Sequence, residues 1–290
     1  MKHISTTTLT LERNIGLFAA VKILKESGFD SYDCGFCEST AEREQLFSSE
    51  NYVETAKKLR KFADELGIRC NQTHAEFPTS RGNAKDDAIF QTVVENIEAA
   101  SILGADIIVV HPKQHLNYAE HAEELFHMNM EFYNKLIPYA EKFGIKIAVE
   151  NMWQENNGAK SITDSTCSRA WEFNKYIDTI NSEWVVGCLD IGHVSLIGSD
   201  IPCFIKSMGN KRLCALHVHD TNCIRDLHTI PFSQKIDFIA ACRALKEIDY
   251  KGDFTFEANQ YYNNYPVDFL PEAAEFLYKV GRRLIKEIKG

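Results

Sequence analysis

The sequence predicts an α/β protein, a single-domain (β/α)8 TIM barrel occupying residues 1–290. Three observations carry that expectation. Eight short apolar runs rich in β-branched residues alternate with long amphipathic segments at intervals of roughly 30–40 residues, the length of a strand–helix unit. No Pro-rich or Ser-rich linker divides the chain. No GxGxxG or GxxxxGK[ST] turn is present, as an open nucleotide-binding sheet would normally require after its first strand.

The strand-like runs are residues 3–9, 31–35, 68–73, 106–111, 145–151, 184–190, 214–219 and 253–258. Helical patterns fill 15–27, 51–66, 86–103, 119–143, 168–180, 201–208, 235–248 and 268–289. In the second helix Tyr52, Ala56, Leu59, Phe62, Ala63 and Leu66 recur at spacings of three and four, with Lys57, Lys58, Arg60 and Lys61 opposite. Gly67 then ends it, and Gly104 and Gly144 stand in the same place before the next two strands. Ile107, Ile108, Val109 and Val110 are continuously apolar, as a parallel strand covered on both faces should be.

Composition narrows the class. With 44% hydrophobic and 25% charged residues, 15 Gly and 7 Pro, collagen-like, coiled-coil and wholly disordered chains are excluded. Asp and Glu number 41 against 32 Lys and Arg, a net charge of −9 that lends no support to a phosphate-tracking surface. No apolar run near the start suits a signal peptide and none reaches membrane-spanning length, so the expectation is a cytoplasmic protein without a membrane partner. The nine cysteines read as buried free thiols, and Cys34 with Cys37 would leave a tetrahedral zinc site half filled.

In such a barrel, function sits at the carboxyl ends of the strands. Six successive runs close with a metal-competent group: His74; His111; Glu150; Asp190 with His193; His217 and His219; and Glu257. Singly, each has an ordinary explanation, a hydrogen-bonded histidine or, at Asp190, a helix cap. Together they would converge on one rim, where unpaired carboxylates repel unless a cation neutralises them. Glu150, Asp190, His217 and Glu257 would then bind one divalent ion. Three carboxylates with one imidazole favour Mn²⁺, Co²⁺, Mg²⁺ or Fe²⁺ over closed structural zinc, with Zn²⁺ as the remaining candidate.

Five segments, VENMW, LDIGH, LHVHDTN, the following DLHTIPFSQKIDF, and TFEAN, resemble the xylose-isomerase-like barrel superfamily over nearly the whole chain. That group holds sugar phosphate isomerases and epimerases, tagatose/psicose 3-epimerases, inositol-catabolism enzymes and endonuclease IV. The resemblance implies the same metal set, with His193 as a substrate-binding or second-metal histidine, and the HxH register leaves His219 as an alternative ligand to His217. The three-zinc endonuclease branch finds counterparts in His74, His111, Glu150, Asp190, His193, His217, Asp226, His228 and Glu257, so more than one metal is open. Its DNA-gripping loops are not matched: the first strand is HISTTTLTL, the seventh loop is the short TNCIRDLHTIP, and PFSQKIDF replaces a glycine pair. Nucleic acid is therefore not the expected partner.

The expected activity is that of an isomerase or epimerase that moves a proton beside the carbonyl of a small sugar or polyol-derived ketone through an enolate, with Glu150 and Glu257 abstracting and returning it. His193, His219 and His228 would position hydroxyls, with Trp153, Glu155 and Arg225 as further contacts and Tyr261 and Tyr262 on a mouth loop. Lys113, Arg81 and Arg225 are the candidates to hold a phosphate. A dehydratase of keto-inositol or dehydroshikimate type is the alternative, ahead of an endonuclease or a non-catalytic sugar binder. Many relatives are dimers or tetramers, which leaves a homo-oligomer open.

Overall fold

The structure, a computed structural model, describes residues 3–36, 46–156, 158 and 161–289; Cys37 lies outside the described residues. Eight parallel strands follow one another around a barrel: β1 (Ile4–Thr7), β2 (Ser31–Gly35), β3 (Arg69–His74), β4 (Ile107–Val110), β5 (Lys146–Glu150), β6 (Val185–Asp190), β7 (Leu213–His217) and β8 (Phe254–Phe256). Closure between β7 and β8 rests on a bridge just past the end of β7. Val218 pairs with Phe256, its N–H donating to the Thr255 carbonyl at 3.0 Å while the Glu257 N–H donates to the Val218 carbonyl at 3.1 Å.

Each predicted run overlaps one of these strands, although β3 runs one residue further, to His74, and β7 begins one residue earlier, at Leu213. The first is shorter than expected, because its Thr-Leu alternation continues past Thr7 into a helix whose Leu9 and Leu11 are buried. Among the described residues ten helices surround the barrel or roof it: α1 (Leu9–Ile15), α2 (Leu17–Glu26), α3 (Tyr52–Leu66), α4 (Asp86–Leu103), α5 (Tyr118–Phe143), α6 (Ala170–Ile180), α7 (Ile191–Leu196), α8 (Ile201–Arg212), α9 (Phe238–Glu247) and α10 (Leu270–Lys289). Gly67, Gly104 and Gly144 close α3, α4 and α5 in the left-handed conformation, as their positions predicted. Not foreseen were α1, α7 and a two-stranded hairpin, Trp153–Asn156 against Ser161–Asp164, that rises from the rim after β5. None of the helices among the described residues is long and apolar enough to cross a membrane.

The barrel interior has two characters. On the β4 to β7 side it is apolar, filled by Val109, Ala148, Val186, Cys188 and Ala215. On the β1 to β3 and β8 side it is polar. There the β2–β3 register skips Asn71, so that Asn71 and the adjacent Gln72 both reach the Thr255 hydroxyl. Of the cysteines, Cys34, Cys70, Cys167, Cys188 and Cys242 are buried, whereas Cys203 and Cys223 are exposed, the latter two contrary to the expectation of uniform burial.

Candidate metal centre

Parallel strands all present their carboxyl ends to one rim, and the strand-closing residues meet there. Glu150 and Asp190 end β5 and β6, His217 ends β7, and Glu257 follows β8. All are buried, and each offers a ligand atom within 4.8 Å of those of the other three. His217 Nδ1 lies 3.2 Å from Glu150 Oε1 and 3.4 Å from Glu257 Oε2, yet neither ring nitrogen has a hydrogen-bond partner. An orphaned, fully buried imidazole nitrogen flanked by carboxylate oxygens is a disposition that a shared cation would satisfy.

The surrounding histidines are oriented by the backbone. His74 Nδ1 meets the Ala75 carbonyl at 3.0 Å, His193 Nδ1 that of Asn151 at 2.8 Å, and His228 Nδ1 that of Glu257 at 2.9 Å. A carbonyl only accepts, so each Nδ1 carries the proton and a neutral ring turns its Nε2 lone pair inward. From His193 and His228 those lone pairs face Asp226 Oδ2 at 3.3 and 2.9 Å. Lone pairs aimed at a carboxylate demand either protonated rings or a cation between them. His193, His219, Asp226 and His228 accordingly form a second group able to hold an ion. A third comprises His74, Glu150 and His217.

The electrostatics follow the same pattern. Burial alone would raise the Glu150 carboxyl, but His217 and His111 outweigh it and hold it well below the usual range. Burial is likewise overcome at Asp190, which His193 and His219 hold at about 2. Glu257 goes the other way, raised by burial despite His217 and His228. Burial pushes His111 down to about 4, even with its Nε2 3.0 Å from Glu150 Oε2. His228 rises to about 9, because Asp226 and Glu257 outweigh its burial.

The family model described as xylose isomerase-like TIM barrel matches residues 21–286. The chain belongs to that family. Among its relatives, the uncharacterized protein MJ1311 of Methanocaldococcus jannaschii is 27% identical over 248 residues, covering 83% of this chain and 78% of its own. The solved structure of a D-tagatose 3-epimerase-like protein superposes with a TM-score of 0.79 at 21% identity, over 99% of this chain and 98% of that one. The IOLI protein with a bound zinc atom gives 0.78 at 20% identity, over 99% of both chains.

Above the buried carboxylate–histidine cluster of this xylose isomerase-like barrel opens a cavity of about 510 Å³. Glu150 and Glu257 line it; Asp190 and His217 do not. His74, His111, His193, Asp226 and His228 also reach it, as do Trp153 and the exposed Glu155. Trp153 carries a polar task besides its surface, its indole N–H donating to Asp226 Oδ2 at 3.1 Å. His219 lies outside the lining, stacked on His228 at 3.9 Å with its Nε2 3.0 Å from Asp190. Thus His217, not His219, groups with Glu150, Asp190 and Glu257.

Other candidates lie elsewhere. Arg225 is exposed and outside the cavity lining. Lys113 sits over the Phe132 ring, and Arg81 lines a separate, neighbouring pocket. Tyr261 and Tyr262 are buried in the core, not mouth contacts, because the segment after Glu257 turns into a 3-10 helix, Asn259–Asn264, that tucks both rings inward. Asn259 lines the cavity instead.

Two residues without an assigned role in the sequence reading bear on the site. Asn151 brackets Asp190, donating from Nδ2 to its carbonyl at 3.0 Å and accepting its N–H at 2.8 Å. Asp33, 1% exposed, lies 3.6 Å from His217 Nε2. A carboxylate inside an otherwise buried strand, two residues from both Ser31 and Gly35, was the available signal.

Proposed function

We propose that the chain is a divalent-metal-dependent isomerase or epimerase acting beside the carbonyl of a small sugar or polyol-derived ketone. The observation that carries this reading is the buried convergence of Glu150, Asp190, His217 and Glu257 around an unpartnered imidazole nitrogen, beneath a cavity that only the two glutamates of that set reach. Those four residues would hold the ion, and its charge would stabilise the oxygen on which enolate charge develops. The tagatose 3-epimerase-like and zinc-bound neighbours support both halves of the reading.

Glu150 and Glu257 divide the proton chemistry. One takes the proton from the carbon next to the carbonyl and the other returns it, each being a carboxylate that opens onto the cavity. His193 and His228, with their Nδ1 protons committed to backbone carbonyls, present Nε2 to substrate hydroxyls. Trp153 closes one wall. The second ligand group, His193, His219, Asp226 and His228, favours a second reading of the metal count, in which an additional ion replaces some of those hydroxyl contacts.

The test follows the C–H proton. In D2O with Mn²⁺ and a panel of ketoses and ketose phosphates, the protein should place solvent deuterium on the carbon beside the carbonyl, and Glu257→Gln should abolish it. Full exchange in Glu257→Gln would remove that residue from the reaction. An enone absorbance in place of exchange would show loss of water instead.

A further inference from the structure

The geometry points to Asp33 as the positioning residue that sets which nitrogen of His217 faces the carboxylate cluster. The inference rests on the metal reading above but concerns the ring itself. His217 is fully buried and has three carboxylates around it, two at Nδ1 and Asp33 at Nε2, 3.6 Å away. Asp33 Oδ1 has no hydrogen-bond partner, and Oδ2 accepts from Gln72 Nε2 at 3.0 Å.

Gln72 is itself held in one orientation by a chain that crosses the barrel. The Ser5 hydroxyl donates to Asn71 Oδ1 at 2.6 Å, Asn71 Nδ2 to the Thr255 hydroxyl at 3.1 Å, and that hydroxyl to Gln72 Oε1 at 3.1 Å. Every donor in the series points the same way, and the series ends on Asp33, which as a carboxylate can only accept. Oδ2, the oxygen that takes the Gln72 N–H, is also the one 3.6 Å from Nε2, and its second lone pair is the acceptor that faces His217. A proton on Nε2 meets that demand, and the neutral ring must then turn the Nδ1 lone pair toward Glu150 and Glu257. Had the proton sat on Nδ1, the Nε2 lone pair would oppose a buried carboxylate and no lone pair would remain for a cation. A carboxylate behind a ligating imidazole fixes its tautomer and ring orientation in this way. The polar half of the barrel interior thereby has a reason to exist: it aims one histidine.

The test exchanges hydrogen-bond polarity without changing size. In Asp33→Asn with Gln72→Glu, the new Glu carboxylate accepts the Asn NH2, which then stands where Oδ2 stood and faces Nε2 as a donor, forcing the proton to Nδ1. Two readouts follow on the full chain stripped of metal: the ¹⁵N shifts of the His217 ring, assigned by their loss in His217→Gln, and the Mn²⁺ dissociation constant from calorimetry. Wild type should show Nε2 as the protonated nitrogen. The double variant should reverse the two shifts and weaken Mn²⁺ roughly 10–100-fold. Asp33→Asn alone should keep both as in wild type, since its amide oxygen still takes the Gln72 N–H at the Oδ2 position and still faces Nε2. A merely structural role for Asp33 predicts no such split between the single and the double variant. If the double variant does not fold, Asp33→Ala takes its place, with mixed tautomers and weakened Mn²⁺ expected. An Nε2-protonated ring together with wild-type Mn²⁺ affinity in the double variant or in Asp33→Ala overturns the proposal. Failure of wild type to bind Mn²⁺ would sink the metal reading, while the tautomer still decides Asp33.

Discussion

Glu172 shows how a buried acid can serve the fold without touching the chemistry. It lies in the first turn of α6, 4% exposed, with one oxygen accepting the Cys167 N–H at 2.9 Å. Burial raises its carboxyl to about 7, against the pull of hydrogen bonds from Tyr118 and Cys167. A carboxyl whose folded value lies above its unfolded one stabilises the fold fully below the unfolded value, and that contribution is lost as pH climbs through the folded one. The window is therefore about pH 4.5 to 7, and the slope integrates to about 3 kcal/mol. Glu172→Gln keeps an acceptor for Cys167 and cannot ionise. Urea unfolding should find the variant and wild type similar near pH 4.5, and the variant more stable by about that amount at pH 8. A difference independent of pH would show that Glu172 does not titrate in the window.

At the scale of elements, α7 explains why the LDIGH segment contains a glycine. Asp190 caps this six-residue helix, its Oδ1 accepting the His193 N–H at 2.7 Å. One turn of tightly buried helix, with its cap, thus carries both a member of the first group and a member of the second. A Cβ on Gly192 would fall 2.0 Å from His219 Cε1 and 2.3 Å from its Nε2. Gly192→Ala must push His219 off Asp190 and off its stack on His228, so we expect a loss of about 1–3 kcal/mol in stability and disordered His219 and His228 resonances. An unchanged melting temperature and spectrum would show that the helix shifts freely. The same element shows where sequence reading stops. Long helices announce themselves by one apolar stripe, as α3 does, but α7 is buried all round and has no stripe to read. The hairpin after β5 is short and polar, WQEN against SITD, so nothing in its pattern separated it from loop. In HISTTTLTL the alternation of Thr and Leu reads as strand beyond Thr7, although tertiary packing makes Leu9 and Leu11 helical.

For the whole molecule, the legible part of the site was the part that barrel topology enforces. Eight parallel strands must bring their last residues to one rim, so His74, His111, Glu150, Asp190, His217 and Glu257 could be read from strand ends alone. Depth could not be read that way. That His217 faces the carboxylates while His219 turns to Asp190, or that Asp33 lies beneath both glutamates' partner, depends on three-dimensional registration between strands distant in sequence. The consequence for stability is also a property of the whole. Buried acids gathered at one point raise the energy of the metal-free fold, and an ion that binds only the folded state lowers it. At 100 times its dissociation constant, Mn²⁺ should add about 2.7 kcal/mol, which for a chain of this size raises Tm by roughly 4 °C. Glu257→Gln removes one converging charge as well as one ligand. Its metal-free Tm should therefore equal or exceed that of metal-free wild type, while the response to the same Mn²⁺ concentration falls below about 1 °C as affinity drops roughly 100-fold or more. The pair of melting curves distinguishes the two effects: a lower metal-free Tm would mean that Glu257 supports the fold by its charge, and an undiminished Mn²⁺ response would mean that the ion binds without it.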